Sequence, residues 1–136
     1  MGDTLNKFIK FCTVGGTGVI VNMGILFFLT EVFGLYYLVS SIFGIEISIL
    51  TNFVLNDLWT YKNVGNNNIS SILKRALSFN LICIMGLIIN FGVLVTLTEK
   101  FGIYYLISNM VGILCATVWN FFMTKNITWK VENMKC

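Results

Sequence analysis

Four long runs of apolar residues alternate with short polar segments along the chain. The runs cover residues 11–30, 35–56, 76–98 and 103–124, and only the second contains a charged residue, Glu46. Each run has 20 to 23 residues, and about 20 helical residues cross the ~30 Å hydrocarbon core of a bilayer. The pattern therefore predicts an all-α integral membrane protein with four transmembrane helices.

The two halves of the chain resemble each other. Aligning residues 5–62 with residues 73–130, a shift of 68 positions, gives 22 identical pairs among 58. Each half contains two predicted spans, so both halves enter and leave the membrane on the same side. The sequence therefore predicts a single membrane domain, residues 1–136, made of two parallel helical-hairpin repeats. A cytoplasmic linker, residues 57–75, joins them.

Each predicted hairpin closes through a turn of only a few residues. Gly34 and Gly102 stand where the first and third helices end, a position that favours the left-handed backbone conformation. Tyrosine pairs at 36–37 and 104–105 follow the two glycines and fit the aromatic belt of a membrane interface. We therefore expect little protein beyond this face of the membrane.

The basic residues are distributed unevenly between the two predicted faces. Only Lys100 lies on the face of the hairpin turns. The other eight lie near the termini or in the central connection: Lys7, Lys10, Lys62, Lys74, Arg75, Lys125, Lys130 and Lys135. Because cytoplasmic loops of membrane proteins carry an excess of Lys and Arg, the distribution predicts a multi-pass protein of the cytoplasmic membrane with both termini in the cytoplasm.

The composition narrows the possible functions. Hydrophobic residues make up 57% of the chain and charged residues only 11%, against about a quarter charged in soluble domains. The absence of histidine removes the commonest metal ligand and the usual general base. Four cysteines without CxxC spacing predict neither a zinc site nor a disulfide. We therefore expect no enzyme active site, no metal and no cofactor, and the net charge of +3 indicates topology, not nucleic-acid binding.

Small and polar residues form stripes along the predicted helices. The stripes on the four runs, in order, are Gly15, Gly18 and Asn22; Gly44, Ser48 and Asn52; Cys83, Gly86 and Asn90; and Gly112, Ala116 and Asn120. Small residues let helices approach closely, and an amide can bond across the contact. We expect the stripes to form the seam between the two hairpins. For Asn22 and Asn90, packing and a functional role both remain open.

Glu46 differs from the other polar residues within the runs. It lies near the middle of the second run and, at 100° per residue, points about 160° away from the small-residue stripe. No basic residue lies within any run, and a charge at this depth costs at least ~3 kcal/mol. Glu46 is therefore a candidate functional carboxyl that is protonated, faces a wet cavity or lies at a subunit contact. A protonated Glu46 bonding to a neighbouring helix is the structural alternative.

Amide, aromatic and basic residues gather where the second and fourth runs return to the cytoplasmic side. They are Asn52, Asn56 and Trp59 in the first half and Trp119, Asn120 and Lys125 in the second. Lysine can contact a lipid phosphate, asparagine can bind hydroxyls and tryptophan can stack on a sugar. We expect Lys125 to contact the phosphate, because the aligned position in the first half is Asp57. An ordinary interfacial anchor explains the same residues.

Three motifs together resemble the GtrA-like family of small four-span membrane proteins. Residues 7–11 form a Phe-rich basic start, and residues 15–22 contain Gly-Gly-x-Gly followed by Asn. Residues 52–61 read Asn-Phe-x-x-Asn-x-x-Trp-Thr-Tyr. The resemblance extends from about Lys7 to Lys130 and includes the number and size of the spans.

Carried over by position, the resemblance assigns the family's Asn-Phe to residues 52–53 and its Trp-Thr-aromatic to residues 59–61. The basic residue expected after the last span is Lys125. The chain has Asp57 where the family often has Arg, and the mid-span Glu46 is not a family feature.

The resemblance implies translocation of a polyprenyl-phosphate-linked monosaccharide to the outer leaflet for glycosylation of cell-surface polysaccharide or glycolipid. The implied partners are this lipid and membrane glycosyltransferases. One alternative is a proton-coupled exporter that uses Glu46, since the small multidrug resistance proteins are also four-span chains with one essential membrane Glu. Another is a non-transporting partner of a glycosyltransferase. Because four helices enclose little space for a sugar phosphate, we also expect a homo-oligomer.

Overall fold

Four long α-helices form almost all of the chain that the computed structural model describes, residues 2–62 and 67–129. They are α1 (Gly2–Phe27), α2 (Tyr37–Leu55), α3 (Ile69–Val95) and α4 (Tyr105–Met123). Each continues directly into a π-helical segment of five residues: Phe28–Val32, Asn56–Thr60, Thr96–Lys100 and Thr124–Thr128. All four are long and apolar enough to cross a membrane. For the described residues, the prediction of an all-helical membrane protein with four spans is confirmed.

The helices extend beyond the predicted apolar runs. α1 begins at Gly2 and α3 at Ile69, so both include polar and basic residues before the apolar run. Long basic side chains can keep their charged ends in water while their stems cover apolar surface. The segment before the third run is thus the start of α3. The predicted linker residues 63–66 and the tail from Lys130 onward lie outside the described residues.

The chain divides into two units, Met1–Gly65 and Asn66–Cys136. In the first unit α1 packs along α2, and in the second α3 packs along α4. We call the described parts hairpin 1 (residues 2–62) and hairpin 2 (residues 67–129). Helices and π-helical segments occur in the same order in both.

A glycine in the left-handed conformation ends the first helix of each hairpin. The φ angle is 66° at Gly34 and 65° at Gly102, a region that residues with a Cβ rarely adopt. The next residue closes the helix end, because Leu35 N donates to the Leu29 carbonyl at 3.1 Å. Ile103 N donates in the same way to Leu97 at 3.1 Å. The predicted role of both glycines is confirmed.

Asparagine side chains meet glycines where α1 crosses α2. A Cβ built on Gly18 would lie 2.8 Å from Asn52 Cγ, and one built on Gly44 would lie 3.0 Å from the Asn22 carbonyl oxygen. Any side chain larger than hydrogen would therefore push the helices apart. Ser48 adds a buried hydrogen bond across the contact, with Oγ donating to the Gly18 carbonyl at 2.7 Å.

The same arrangement occurs where α3 crosses α4. A Cβ on Gly86 would lie 2.9 Å from Asn120 Cγ, and one on Gly112 would lie 2.8 Å from the Asn90 carbonyl oxygen. The small-residue stripes therefore meet inside each hairpin. This differs from the predicted seam between the hairpins, because periodicity identifies the face of a helix but not the helix that it contacts.

Large apolar side chains cover the outer faces of the helices. Among those exposed along the spans are Ile20, Ile42, Ile88 and Met110. Burial is concentrated at the helix contacts, where Val14, Phe53, Phe79 and Phe121 are almost fully covered. In water so much exposed apolar surface would drive association, whereas lipid tails solvate it. The distribution fits a protein whose solvent is the bilayer.

Candidate functional site

The candidate headgroup residues lie toward one end of each hairpin. We call this the open end, because the first helix begins and the second helix finishes there. Asn52, Asn56 and Trp59 belong to hairpin 1, and Trp119, Asn120 and Lys125 belong to hairpin 2. Within each group the members occupy neighbouring turns of one helix and the π-helical segment that follows it.

Two hydrogen bonds of Asn56 hold the open end of hairpin 1. Its Nδ2 donates to the Asn52 carbonyl at 2.9 Å, and its Oδ1 accepts a hydrogen bond from Thr60 Oγ1 at 2.8 Å. Asn56 and Thr60 are both buried. The predicted hydroxyl-binding amide of Asn56 is therefore engaged in fixing the backbone of the π-helical segment.

Trp59 projects outward from the same segment. The Lys10 ammonium lies over its indole ring, 5.6 Å from the ring centroid, within the range of a cation–π contact. Lys10 comes from the third turn of α1, so the contact joins the start of the hairpin to its end. Nothing in the sequence indicates that these two residues meet.

Polar and aromatic contacts also pack the open end of hairpin 2. Thr124 Oγ1 donates to the Asn120 carbonyl at 2.6 Å, and the hydroxyls of Ser78 and Thr128 lie 3.1 Å apart. Trp129 is buried against Phe79, with ring centroids 5.8 Å apart in an edge-to-face arrangement. An aromatic ring is therefore also present here, but inside the hairpin.

The remaining candidates of hairpin 2 are partly covered. Lys125 is half-buried on the π-helical segment, and Trp119 is half-buried six residues earlier on α4. The Trp119 indole N–H is buried and has no acceptor among the residues that the structure describes. A buried donor without a partner in an apolar setting is costly, so a ligand oxygen beside Trp119 would remove an existing penalty.

Both Asn52 and Asn120 point into the helix contact of their own hairpin. Their carboxamides lie against Gly18 and Gly86, and each Oδ1 is buried without a hydrogen-bond partner among the described residues. The Oδ1 atoms of Asn22 and Asn90 are in the same condition. Packing thus occupies the four amides, whereas Trp59 is exposed.

Arg75 is a basic residue at the open end whose burial the sequence did not reveal. It is only 5% exposed, and its Nη1 donates to Ser71 Oγ at 3.2 Å, one turn earlier on α3. A cation is seldom buried unless it is paired. The sequence indicates the burial of Arg75 only through its position beside the apolar residues at the start of α3.

Glu46 lies away from the open end, on α2. It is exposed, whereas Gly44 and Ser48 on either side of it are buried in the contact with α1. The predicted orientation away from the small-residue stripe is confirmed.

α3 also carries a shallow apolar groove with a volume of about 460 Å³. Its lining is Ile84, Leu87, Ile88, Asn90, Phe91 and Leu94. Such a surface can hold a hydrocarbon chain. Hairpin 2 therefore offers apolar length for a lipid tail on α3 and a cation, Lys125, near its open end for an anion.

The sequence matches the GtrA/DPMS transmembrane domain over residues 10–129. The chain belongs to this family. The GtrA-like resemblance of the motifs is therefore confirmed, and with the four spans it makes the chain a multi-pass membrane protein. The family match includes the open ends of both hairpins up to Trp129.

This chain is similar to a dolichol-phosphate mannosyltransferase of Pyrococcus furiosus. The two are 33% identical over 125 residues, which is 92% of this chain and 34% of the relative. The chain thus spans about a third of that protein's length.

Proposed function

We propose that this protein binds a polyprenyl-phosphate-linked monosaccharide at its cytoplasmic open ends and translocates it across the cytoplasmic membrane. A separate membrane glycosyltransferase would use the sugar for cell-surface polysaccharide or glycolipid. The family match over residues 10–129 is the observation that carries the proposal. The relative named as a dolichol-phosphate mannosyltransferase adds a polyprenyl-type lipid phosphate and a sugar to the chemistry of the family.

The geometry of the open end supports an anionic headgroup. In the orientation predicted from the basic residues, Lys125 lies where the headgroup of a cytoplasmic-leaflet lipid lies. The indole N–H of Trp119, close to Lys125 in the chain, lacks an acceptor among the described residues. The apolar outer faces leave the polyprenyl tail in the bilayer while the phosphate contacts Lys125.

A second candidate function is a membrane anchor that positions a glycosyltransferase without moving lipid. The specific observation in its favour is that this chain matches only 34% of a relative named as a transferase. The two hairpins would then hold the catalytic domain of a glycosyltransferase at the membrane. Binding of the lipid without transport is the expected behaviour of such an anchor.

Reconstitution in vesicles separates these functions. The lipid is a polyprenyl-phosphate mannose, and a membrane-impermeant reagent that oxidises exposed sugar measures its movement between leaflets. We expect wild-type protein to accelerate movement, and Lys125→Ala to weaken lipid binding by roughly tenfold to a hundredfold because a charge-assisted contact is lost. Lys125→Arg should retain part of the binding. Lys100→Ala, at the opposite end of hairpin 2, is the matched control and should leave it unchanged.

Three results would point elsewhere. Binding without movement would identify the anchor. If Lys125→Ala, reconstituted at the same protein level, moved the lipid between leaflets at the wild-type rate, the phosphate contact would lie at another residue. If Glu46→Gln abolished transport while Lys125→Ala did not, a carboxylate-centred, proton-coupled exporter would replace the proposed function.

A further inference from the structure

At the open end of hairpin 1, the cation of Lys10 meets the exposed aromatic ring of Trp59. The ammonium lies 5.6 Å from the ring centroid, and Trp59 is 48% exposed. About half of the side-chain surface is therefore open to a further ligand. The ammonium has three donors, and the ring face accepts none of them as a full hydrogen bond.

The charge of Lys10 is not neutralised by an ion pair within the described residues. Its neighbour one turn earlier, Lys7, is paired with Asp3 at 2.8 Å. Asp57 lies two residues before Trp59 on the same π-helical segment. Lys10 is thus a cation placed against an aromatic face and still able to bind an anion.

The platform that carries Trp59 is fixed. Asn56 and Thr60, three residues before Trp59 and one after it, are buried and hydrogen-bonded to each other. Tyr61, the next residue, is only 3% exposed. A flexible anchor needs no such support, whereas a ring that stacks on a ligand benefits from being held before the ligand arrives.

Hairpin 2 lacks this pair. At the positions 68 residues later, Ser78 replaces Lys10 and Ile127 replaces Trp59. Ser78 is hydrogen-bonded to Thr128 inside the hairpin, and the nearby Trp129 is buried. A general requirement for interfacial anchoring would apply to both hairpins, so a pair present in only one indicates recognition.

From these observations we propose that Lys10 and Trp59 form a glycosyl-phosphate subsite on hairpin 1. Lys10 binds the phosphate of a polyprenyl-phosphate sugar, and the exposed face of Trp59 stacks on the sugar ring. The inference rests on the proposed function and adds a contact on hairpin 1 to the one assigned to Lys125 on hairpin 2. It also assigns the two residues different tasks, which makes them separable by experiment.

Equilibrium binding to the full-length protein in nanodiscs tests the subsite with three lipids. They are a short-chain polyprenyl-phosphate mannose, the same polyprenyl phosphate without sugar, and phosphatidylglycerol. We expect Lys10→Ala to weaken binding of both polyprenyl phosphates by about tenfold, because a charge-assisted contact is lost. Trp59→Leu should weaken only the mannosylated lipid, by about fivefold to tenfold, because stacking on the sugar is lost. Lys10→Arg should restore most of the affinity.

Lys7→Ala is the matched control, since it removes one positive charge from the same helix one turn away. It should change all three affinities less than twofold. Equal losses in Lys10→Ala and Lys7→Ala, or a loss in Lys10→Ala that is as large for phosphatidylglycerol, would overturn the subsite and leave a general membrane anchor. If the wild type binds and transports the lipid and the Lys10 and Trp59 variants bind it with wild-type affinity, only this inference is overturned. Wild-type protein that binds neither polyprenyl lipid would overturn the proposed function as well.

Discussion

At the scale of single residues, asparagine oxygens occupy the space of missing glycine side chains. The Oδ1 of Asn52 lies only 2.5 Å from the position that a Cβ on Gly18 would take, and the Oδ1 of Asn120 is as close to that of Gly86. Both oxygens lack a conventional donor among the described residues. The adjacent glycine Cα atoms carry C–H groups, which are weak donors that recur at close helix contacts. The contact is therefore both polar and close-packed, and lipid tails cannot replace it.

This geometry predicts strong coupling between Gly18 and Asn52. Gly18→Ala should destabilise hairpin 1 by about 1–3 kcal/mol, the usual cost of overpacking. The loss should be smaller when Gly18→Ala is combined with Asn52→Ala, because the clashing carboxamide is gone. A double-mutant cycle of unfolding in detergent measures the interaction free energy.

Gly16→Ala is the matched control for that cycle. It lies on the same helix, and a Cβ there would meet nothing within 4 Å. Alanine favours helix over glycine by about 1 kcal/mol, so this variant should be as stable as the wild type or more stable. Strictly additive effects of Gly18→Ala and Asn52→Ala would contradict the contact.

Single residues also show where sequence reasoning ends. The spacing of Gly44, Ser48 and Asn52 placed them correctly on one face of α2. It did not reveal that this face meets α1 of the same hairpin, because a periodic pattern contains no information about the partner. For the same reason Lys10 and Trp59, which are far apart in the sequence, were not predicted to meet.

At the scale of elements, each second helix ends in a π-helical segment that buried polar side chains hold. Apolar length predicted the four helices well, since about 20 apolar residues suffice to identify a span. The π-helical segments were not predicted, because they depend on individual side-chain contacts such as that of Asn56 with Thr60 and not on periodicity. The helix start at Gly2 was also missed, because the polar residues there lie before the apolar run.

The π-helical segment of hairpin 1 gives a second prediction. Thr60→Val keeps the shape of the side chain but removes the donor to Asn56 Oδ1, leaving a buried acceptor unsatisfied. We expect a loss of about 1–3 kcal/mol in unfolding free energy and a weaker contact of Lys10 with Trp59. Thermal unfolding in detergent measures the first effect, and Trp fluorescence reports the second.

Thr51→Val is the control on the same helix. The Thr51 hydroxyl donates to the Ile47 carbonyl at 2.8 Å within its own helix, where that carbonyl already has a backbone partner. Its removal should therefore change stability by less than about 0.5 kcal/mol. Equal losses in the two variants would show that the bond to Asn56 has no special role.

At the scale of the whole molecule, the predicted topology places the open ends in the cytoplasm and the turns outside. The prediction rests on eight basic residues against one. In a variant whose own cysteines have been replaced, Asn67→Cys should react with a membrane-impermeant thiol reagent only after the cells are opened. Glu31→Cys, exposed near the first turn, should react in intact cells. Labelling of Asn67→Cys from outside would reverse the orientation and move Lys125 and Lys10 to the opposite leaflet.

The fit of asparagine against glycine also restricts how this sequence can change over generations. A mutation that enlarges Gly18 is damaging while Asn52 is present, since both would need the same space. The permitted order is therefore for Asn52 to become smaller first and for Gly18 to become larger afterwards. Gly86 and Asn120 obey the same order, so each hairpin contains a position whose tolerance to mutation depends on a residue in the other helix. Libraries that vary one position at a time would record both glycines as invariant, whereas paired libraries would recover larger residues at each.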